Sequence, residues 1–157
     1  MKFFRRRKLE RSYVVKLRMS DAHALANLHA RCFPLPWNSQ DFEAHLAQPS
    51  NEAYGLKIGE QLIGFLLMRY AADEAEVLTV AVDPKWQGLS IGERLMMYGF
   101  SQSQAQGASR CYLEVKGANR AAIKLYNKLG FTETGRRAQY YAPSGGGDAI
   151  LMARDLA

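Results

Sequence analysis

Two side chains in the second half of the chain have the chemistry to move protons beside a reacting group. Glu114 stands in Arg110–Val115, RCYLEV, a run that reads as a β-strand. Period-2 alternation puts its carboxylate on the face of Tyr112, opposite Leu113 and Val115. There it is either an ordinary surface glutamate or, if partly buried, a carboxylate of raised pKa that accepts a proton directly or through water. Tyr126 falls with Ala122, Leu125 and Leu129 at the i, i+3, i+4, i+7 positions of a helix. A tyrosine on such an apolar face is ordinarily a core residue with a satisfied hydroxyl. Asn119 suits the N-cap of that helix, and a cap side chain with its first-turn amides can also meet a phosphate-bearing ligand.

The centre of the chain supplies a complementary feature. Val77–Val82 is an apolar, mostly β-branched run that Asp83-Pro84 ends, because proline fixes φ and lacks an N–H. The loop Gln87-Gly88-Leu89-Ser90-Ile91-Gly92 then leads into a helical pattern that begins at Ile91. Strand, small-residue loop and helix start leave backbone N–H groups pointing outward with the positive end of the helix dipole behind them. This predicts a site for a phosphate-bearing cofactor. A P-loop is excluded by the lack of Gly-Lys-Ser/Thr, and a dinucleotide fingerprint by Gly88-x-Ser90-x-Gly92, which is not G-x-G-x-x-G.

The elements that must position these residues follow from composition and pattern. At 157 residues and 48% hydrophobic content the chain suits one soluble domain with its own core, and no apolar run approaches the ~20 residues that span a bilayer. No apolar h-region follows the basic start, which argues against a secretory signal. Cys32 and Cys111 have no paired spacing, so reduced thiols and a cytoplasmic location are expected. The net charge of +6 is concentrated: residues 1–11 hold Lys2, Arg5, Arg6, Arg7, Lys8 and Arg11 against Glu10, which leaves the rest near +1. That arm is expected to be a frayed, solvated tail, with weak contact to ribosomal RNA or another polyanion as the sharper alternative. The domain itself is placed at residues 12–157.

In order, Ser12–Arg18 reads as a strand, and Ser20 as the cap of a helix to about Arg31. Pro34 and Pro36 break that helix, and a short one restarts at Ser39. Ala53–Ile58 and Gln61–Tyr70 form a hairpin about Gly59-Glu60, followed by the strand Glu76–Val82 and the helix Ile91–Gln106. After the strand at 110–115 and the helix from Asn119, Phe131–Gln139 and Asp148–Arg154 read as closing strands around a loop at 142–147. Helices interspersed among strands predict a mixed sheet covered on both faces. The histidines (His23, His29, His45) have no ligand spacing, so no metal is expected.

The loop from Gln87 to Gly92 resembles the Q/R-x-x-G-x-G/A pyrophosphate loop of the GNAT acetyltransferases, with Ser90 in place of the middle glycine. The string Leu113-Glu114-Val115, Asn119, Ala121-Ala122-Ile123, Leu125-Tyr126, Leu129-Gly130-Phe131, then Arg136-Arg137 and Tyr140-Tyr141, is most similar to the RimI-type members, as is Pro36-Trp37. The resemblance implies an α/β (α+β) GNAT fold: a mixed, mostly antiparallel sheet of about seven strands, splayed in the middle, with about four helices on its two faces. It implies acetyl-CoA as cosubstrate, held by Val80, Ala81, Val82, Gln87, Gly88, Leu89, Ser90, Ile91, Gly92, Glu93 and Asn119. Strand-fashion pairing of Val80–Val82 with pantetheine would leave one N–H to polarise the thioester oxygen. Ser90 is expected to weaken or alter affinity without abolishing it. Glu114 becomes the general base and Tyr126 the general acid toward the departing thiolate. Tyr140, Tyr141 and Trp37 would hold the acceptor. No metal is implied.

The implied reaction is direct transfer of acetyl, within a ternary complex, to a protein N-terminus, the N-terminal alanine of a small-subunit ribosomal protein. About a tenth of a peptide α-amine is neutral at pH 7, against under about a thousandth of a lysine, which favours the N-terminus. Acetylation of a small amine such as a drug or polyamine is the alternative enzyme. A non-catalytic CoA-fold protein that binds RNA or the ribosome through residues 2–11 is the alternative of another class.

Overall fold

A computed structural model describes residues 1–138, 140 and 147–156. The elements are α1 (Lys2–Leu9), β1 (Tyr13–Lys16), α2 (Ala22–Cys32), α3 (Ser39–Leu46), β2 (Asn51–Ile58), β3 (Gln61–Ala71), β4 (Glu74–Val82), α4 (Ile91–Ala105), β5 (Arg110–Lys116), α5 (Arg120–Lys128), β6 (Thr132–Arg137) and β7 (Ala149–Asp155). The strands hydrogen-bond in the order β1-β2-β3-β4-β5-β7-β6. Pairings β1–β2, β2–β3, β5–β7 and β6–β7 are antiparallel, and β4–β5 is parallel. The last strand therefore inserts between β5 and β6, a non-local pairing that strand patterns along the chain do not announce.

The contacts group into two units, Met1–Arg69 with Leu78–Gly99, and Tyr70–Val77 with Phe100–Ala157. In the first, Leu25 and Leu28 of α2 and Phe42 of α3 pack on Phe65 and Leu67 of β3. Phe42 and Phe65 have no exposed surface, and each such burial stabilises by about 2–3 kcal/mol. Asn38 caps α3 by accepting the Asp41 N–H at 2.9 Å, while the Asp41 carboxylate accepts the Asn38 N–H at 2.8 Å. Ser20 does not cap α2. It lies inside a 3-10 turn, Met19–Asp21, and the Asp21 carboxylate instead accepts the Arg18 N–H at 2.7 Å. In the second unit, Cys111, Leu113 and Val115 of β5 are buried on one face with Ile150 and Met152 of β7, and Phe131 packs between Phe100 and Tyr126.

The basic arm differs from the expected frayed tail. Residues 2–9 are helical, and this helix raises the number of helices among the described residues to five. It buries no residue, so apolar periodicity, which rests on burial, carries no trace of it.

Candidate active site

The loop after β4 is built from its first residue. The Asp83 carboxylate, nearly fully buried, accepts the Lys85 N–H at 3.0 Å and the Arg31 guanidinium at 3.0 Å. These bonds hold the 3-10 turn Pro84–Trp86 under the loop. Gly88 and Ser90 then take φ of +77° and +62°. A Cβ at Gly88 would meet nothing within 4 Å, so the glycine serves the turn and leaves the space above it open. Ser90, which stands where the resembling loops carry glycine, adopts the left-handed conformation at a cost of about 1–2 kcal/mol. Its carbonyl accepts the Arg94 N–H at 3.1 Å and starts α4, so the first-turn amides from Ile91 onward have no acceptor within the helix. Gly64 on β3 lets this helix start sit close: a Cβ there would stand 3.2 Å from Ile91 Cγ2 and 3.1 Å from Leu95 Cδ1.

The backbone of β4 has a defined polarity. The Asp83 N–H bonds to the Ile63 carbonyl on β3 at 2.9 Å. Alternation then turns the N–H and C=O of Val82 and Val80 to the opposite edge and those of Ala81 toward β3. Among the described residues, β4–β5 pairing covers only Glu74↔Arg110, Ala75↔Cys111 and Glu76↔Tyr112. The edge carrying Val80 and Val82 therefore has no strand partner beyond Glu76. Of the three residues expected to pair with a ligand, Ala81 presents its backbone to β3 instead. The Val82 carbonyl is also engaged: Gln87 Nε2 donates to it at 3.1 Å and the Cys32 thiol at 3.3 Å. Gln87 thus ties the loop back to the strand, and the Val80 N–H and C=O and the Val82 N–H remain outward.

In the second unit, Glu114 lies on the solvent-facing side of β5. Its side chain is 28% exposed and ion-paired with the Arg137 guanidinium of β6. Asn119 caps α5, its side-chain oxygen accepting the Ala122 N–H at 3.2 Å. Tyr126 is 7% exposed, and burial pushes its phenol up to about 12. Tyr140 is exposed, with the Arg137 guanidinium 4.5 Å over its ring. Tyr141 lies outside the described residues. A cleft of about 540 Å³ in this unit is lined by Gly117, Ala118, Ile123, Asn127 and Arg136, among others; neither Glu114 nor Tyr126 borders it.

The Trp37 ring stacks on His45 at 4.5 Å, and the Trp37 backbone N–H donates to His29 Nδ1 at 3.0 Å. His29 is a buried residue that ligand spacing could not reveal. Its signal was position, since it follows Leu25 by four on the apolar stripe of α2. Accepting at Nδ1 makes Nε2 the donor, 3.3 Å from Thr79 Oγ1, and burial lowers its pKa to about 4. The ring is therefore neutral. Among the described residues there is no group of three His, Cys, Asp or Glu side chains placed to hold a metal ion. No helix there is long and apolar enough to cross a membrane.

Comparison with known proteins identifies the family. Residues 22–131 match the model of the Acetyltransferase (GNAT) family. The chain is 38% identical over 147 residues to the N-alpha-acetyltransferase RimI of Mycobacterium tuberculosis, covering 88% of this chain and 89% of that one. The crystal structure of the ribosomal-protein-S18-alanine N-acetyltransferase from Escherichia coli superposes with a TM-score of 0.87 at 28% identity, over 93% of this chain and 94% of that one. The fold also matches Arabidopsis thaliana NAA60 in complex with acetyl-CoA, at a TM-score of 0.79 and 20% identity, over 92% of this chain and 98% of that one. The chain belongs to the GNAT acetyltransferase family and is an N-acetyltransferase.

Proposed function

We propose that this protein transfers acetyl from acetyl-CoA directly to the N-terminal amine of a protein, with the N-terminal alanine of a small-subunit ribosomal protein as its acceptor. The observation that carries the reading is the edge of β4 beyond Glu76, without a strand partner, running into a loop with two left-handed residues. An extended amide-bearing ligand can add to that edge as a strand does, and a diphosphate fits the amides that follow. Acetyl-CoA supplies there a thioester whose carbonyl carbon the amine attacks. The acceptor rests on the relatives, which are named as acting on protein N-termini and on ribosomal protein S18.

Each residue then has one task. The Val80 N–H polarises the thioester oxygen, and the amides from Leu89 to Glu93 neutralise the diphosphate, with the Asn119 cap and first turn of α5 adding polar contacts. The Gln87 bond to Val82 holds the loop against the strand. Glu114 accepts the proton of the amine, directly or through water, and must exchange its Arg137 pairing to do so. Tyr126 keeps its phenolic proton at neutral pH and presents it to the sulfur as the C–S bond breaks. Direct transfer is favoured over an acyl-cysteine route, because burial pushes Cys111 up to about 12 and also raises Cys32; both stay as thiols, whereas the thiolate is the nucleophile. Tyr140, Tyr141 and Trp37 are assigned to the acceptor.

Calorimetry with acetyl-CoA, and acetyl transfer to a peptide copying the N-terminus of the ribosomal protein, test this. Saturable heat and N-terminal product are expected. No heat of association and no shift in melting with acetyl-CoA would end the reading. Acetylation of polyamines or drugs in preference to the peptide would replace its acceptor.

A further inference from the structure

No residue of the helix α1 has a task in the proposed reaction, yet the helix holds most of the net charge of the chain. Its sequence, KFFRRRKL, places five cations on a helix about 12 Å long, with Arg11 just beyond. Among the described residues, no carboxylate lies in salt-bridge range of any of them. Phe3 and Phe4 are 74% and 71% exposed, and no residue of the helix is buried. The helix is nonetheless rooted: Ser12 Oγ donates to the Leu9 carbonyl at 2.5 Å, and Arg94 of α4 donates to Ser12 Oγ at 2.6 Å.

We propose that α1 is an RNA-binding helix that docks on a segment with unpaired bases. Five like charges in so short a helix repel one another, and a polyanion removes that repulsion while releasing counterions. Arg5, Arg6 and Arg7 each step about 100° around the axis, and Lys2 and Lys8 fill the gaps, so cations face every side. A membrane-surface helix needs its cations on one face and its apolar residues on the other. Phosphates that flank a bound helix on several sides match the distribution found here. Two exposed phenyl rings among arginines supply stacking surfaces, and unpaired bases are displayed mainly by RNA loops and bulges.

Anisotropy of the full chain with a labelled RNA hairpin carrying an unpaired loop tests the proposal. If about four phosphates are neutralised, affinity falls roughly 50-fold between 50 and 200 mM salt. Arg5→Gln/Arg6→Gln/Arg7→Gln should flatten the logarithmic salt slope by about 2. Phe3→Ala/Phe4→Ala should weaken loop binding at least about fivefold and leave a fully paired duplex unaffected. Acetyl transfer to a free peptide should be unchanged in both variants, which also shows that they fold. Undiminished RNA binding by the arginine variant overturns the proposal. So does equal binding of loop and duplex with no effect of the phenylalanines, or binding to phosphatidylserine vesicles in place of RNA.

Discussion

Tyr126 and Glu114 separate burial from chemistry at the level of single residues. The Tyr126 ring packs edge-on against Phe131, a contact that a phenylalanine ring would keep. Tyr126→Phe should therefore cost under about 1 kcal/mol in melting experiments while lowering kcat about 100-fold, read as slower release of free CoA at unchanged acetyl-CoA affinity. Glu114→Gln should also depress turnover. Its deficit should shrink as the assay pH rises past about 8, because the α-amine then sheds its own proton. A deficit that is constant with pH would make Glu114 a partner of Arg137 and not a base. Ser90 shows how sequence and structure inform each other. The substitution for glycine was visible in the loop pattern, but its cost was not, because the cost depends on a φ of +62°. Ser90→Gly should raise stability by about 0.5–1 kcal/mol in denaturant titration, the relieved strain outweighing the added freedom of the unfolded chain.

At the level of elements, α4 and β4 depend on a close approach. Gly64→Ala would place a methyl group about 3.2 Å from both Ile91 and the Ala81 carbonyl, so the start of α4 and its loop must give way. A several-fold loss of acetyl-CoA affinity by calorimetry is expected, larger than any loss from an exposed glycine such as Gly59. The order of these elements was legible because punctuation is local: Asp83-Pro84 ends β4, and paired prolines separate α2 from α3. Which strands pair was not, since β7 lies between β5 and β6 through contacts that no window of sequence contains. The surroundings of Glu114 escaped for the same reason. Alternation gave its face correctly, but Arg137, the group that meets it, is 23 residues away on another strand.

For the whole molecule, charge and pH give the broadest consequences. With residues 1–11 holding most of the net +6, the remainder is close to neutral, and removing those residues should lower solubility more than stability. His29 contributes to the acid sensitivity of the fold. Its pKa is lowered in the folded state, so its contribution is complete above about 6.5 and is lost as pH falls toward about 4. The difference is worth roughly 3 kcal/mol. Melting temperature should fall steeply over that window, and His29→Gln should flatten the fall even if it lowers the starting value. Charge clustering was legible at once, and family membership was legible from ordered motifs. The neutral imidazole was not, because its burial depends on rings and strands that are distant in sequence, Phe65 among them.

The half-bare margin of β4 has one more consequence. If acetyl-CoA adds to it as proposed, the ligand covers the outward amides of Val80 and Val82. Those two hydrogens should trade with deuterium quickly in the empty protein and slowly in the loaded one. The cosubstrate would then be a removable eighth rung of the sheet as well as the source of the group transferred.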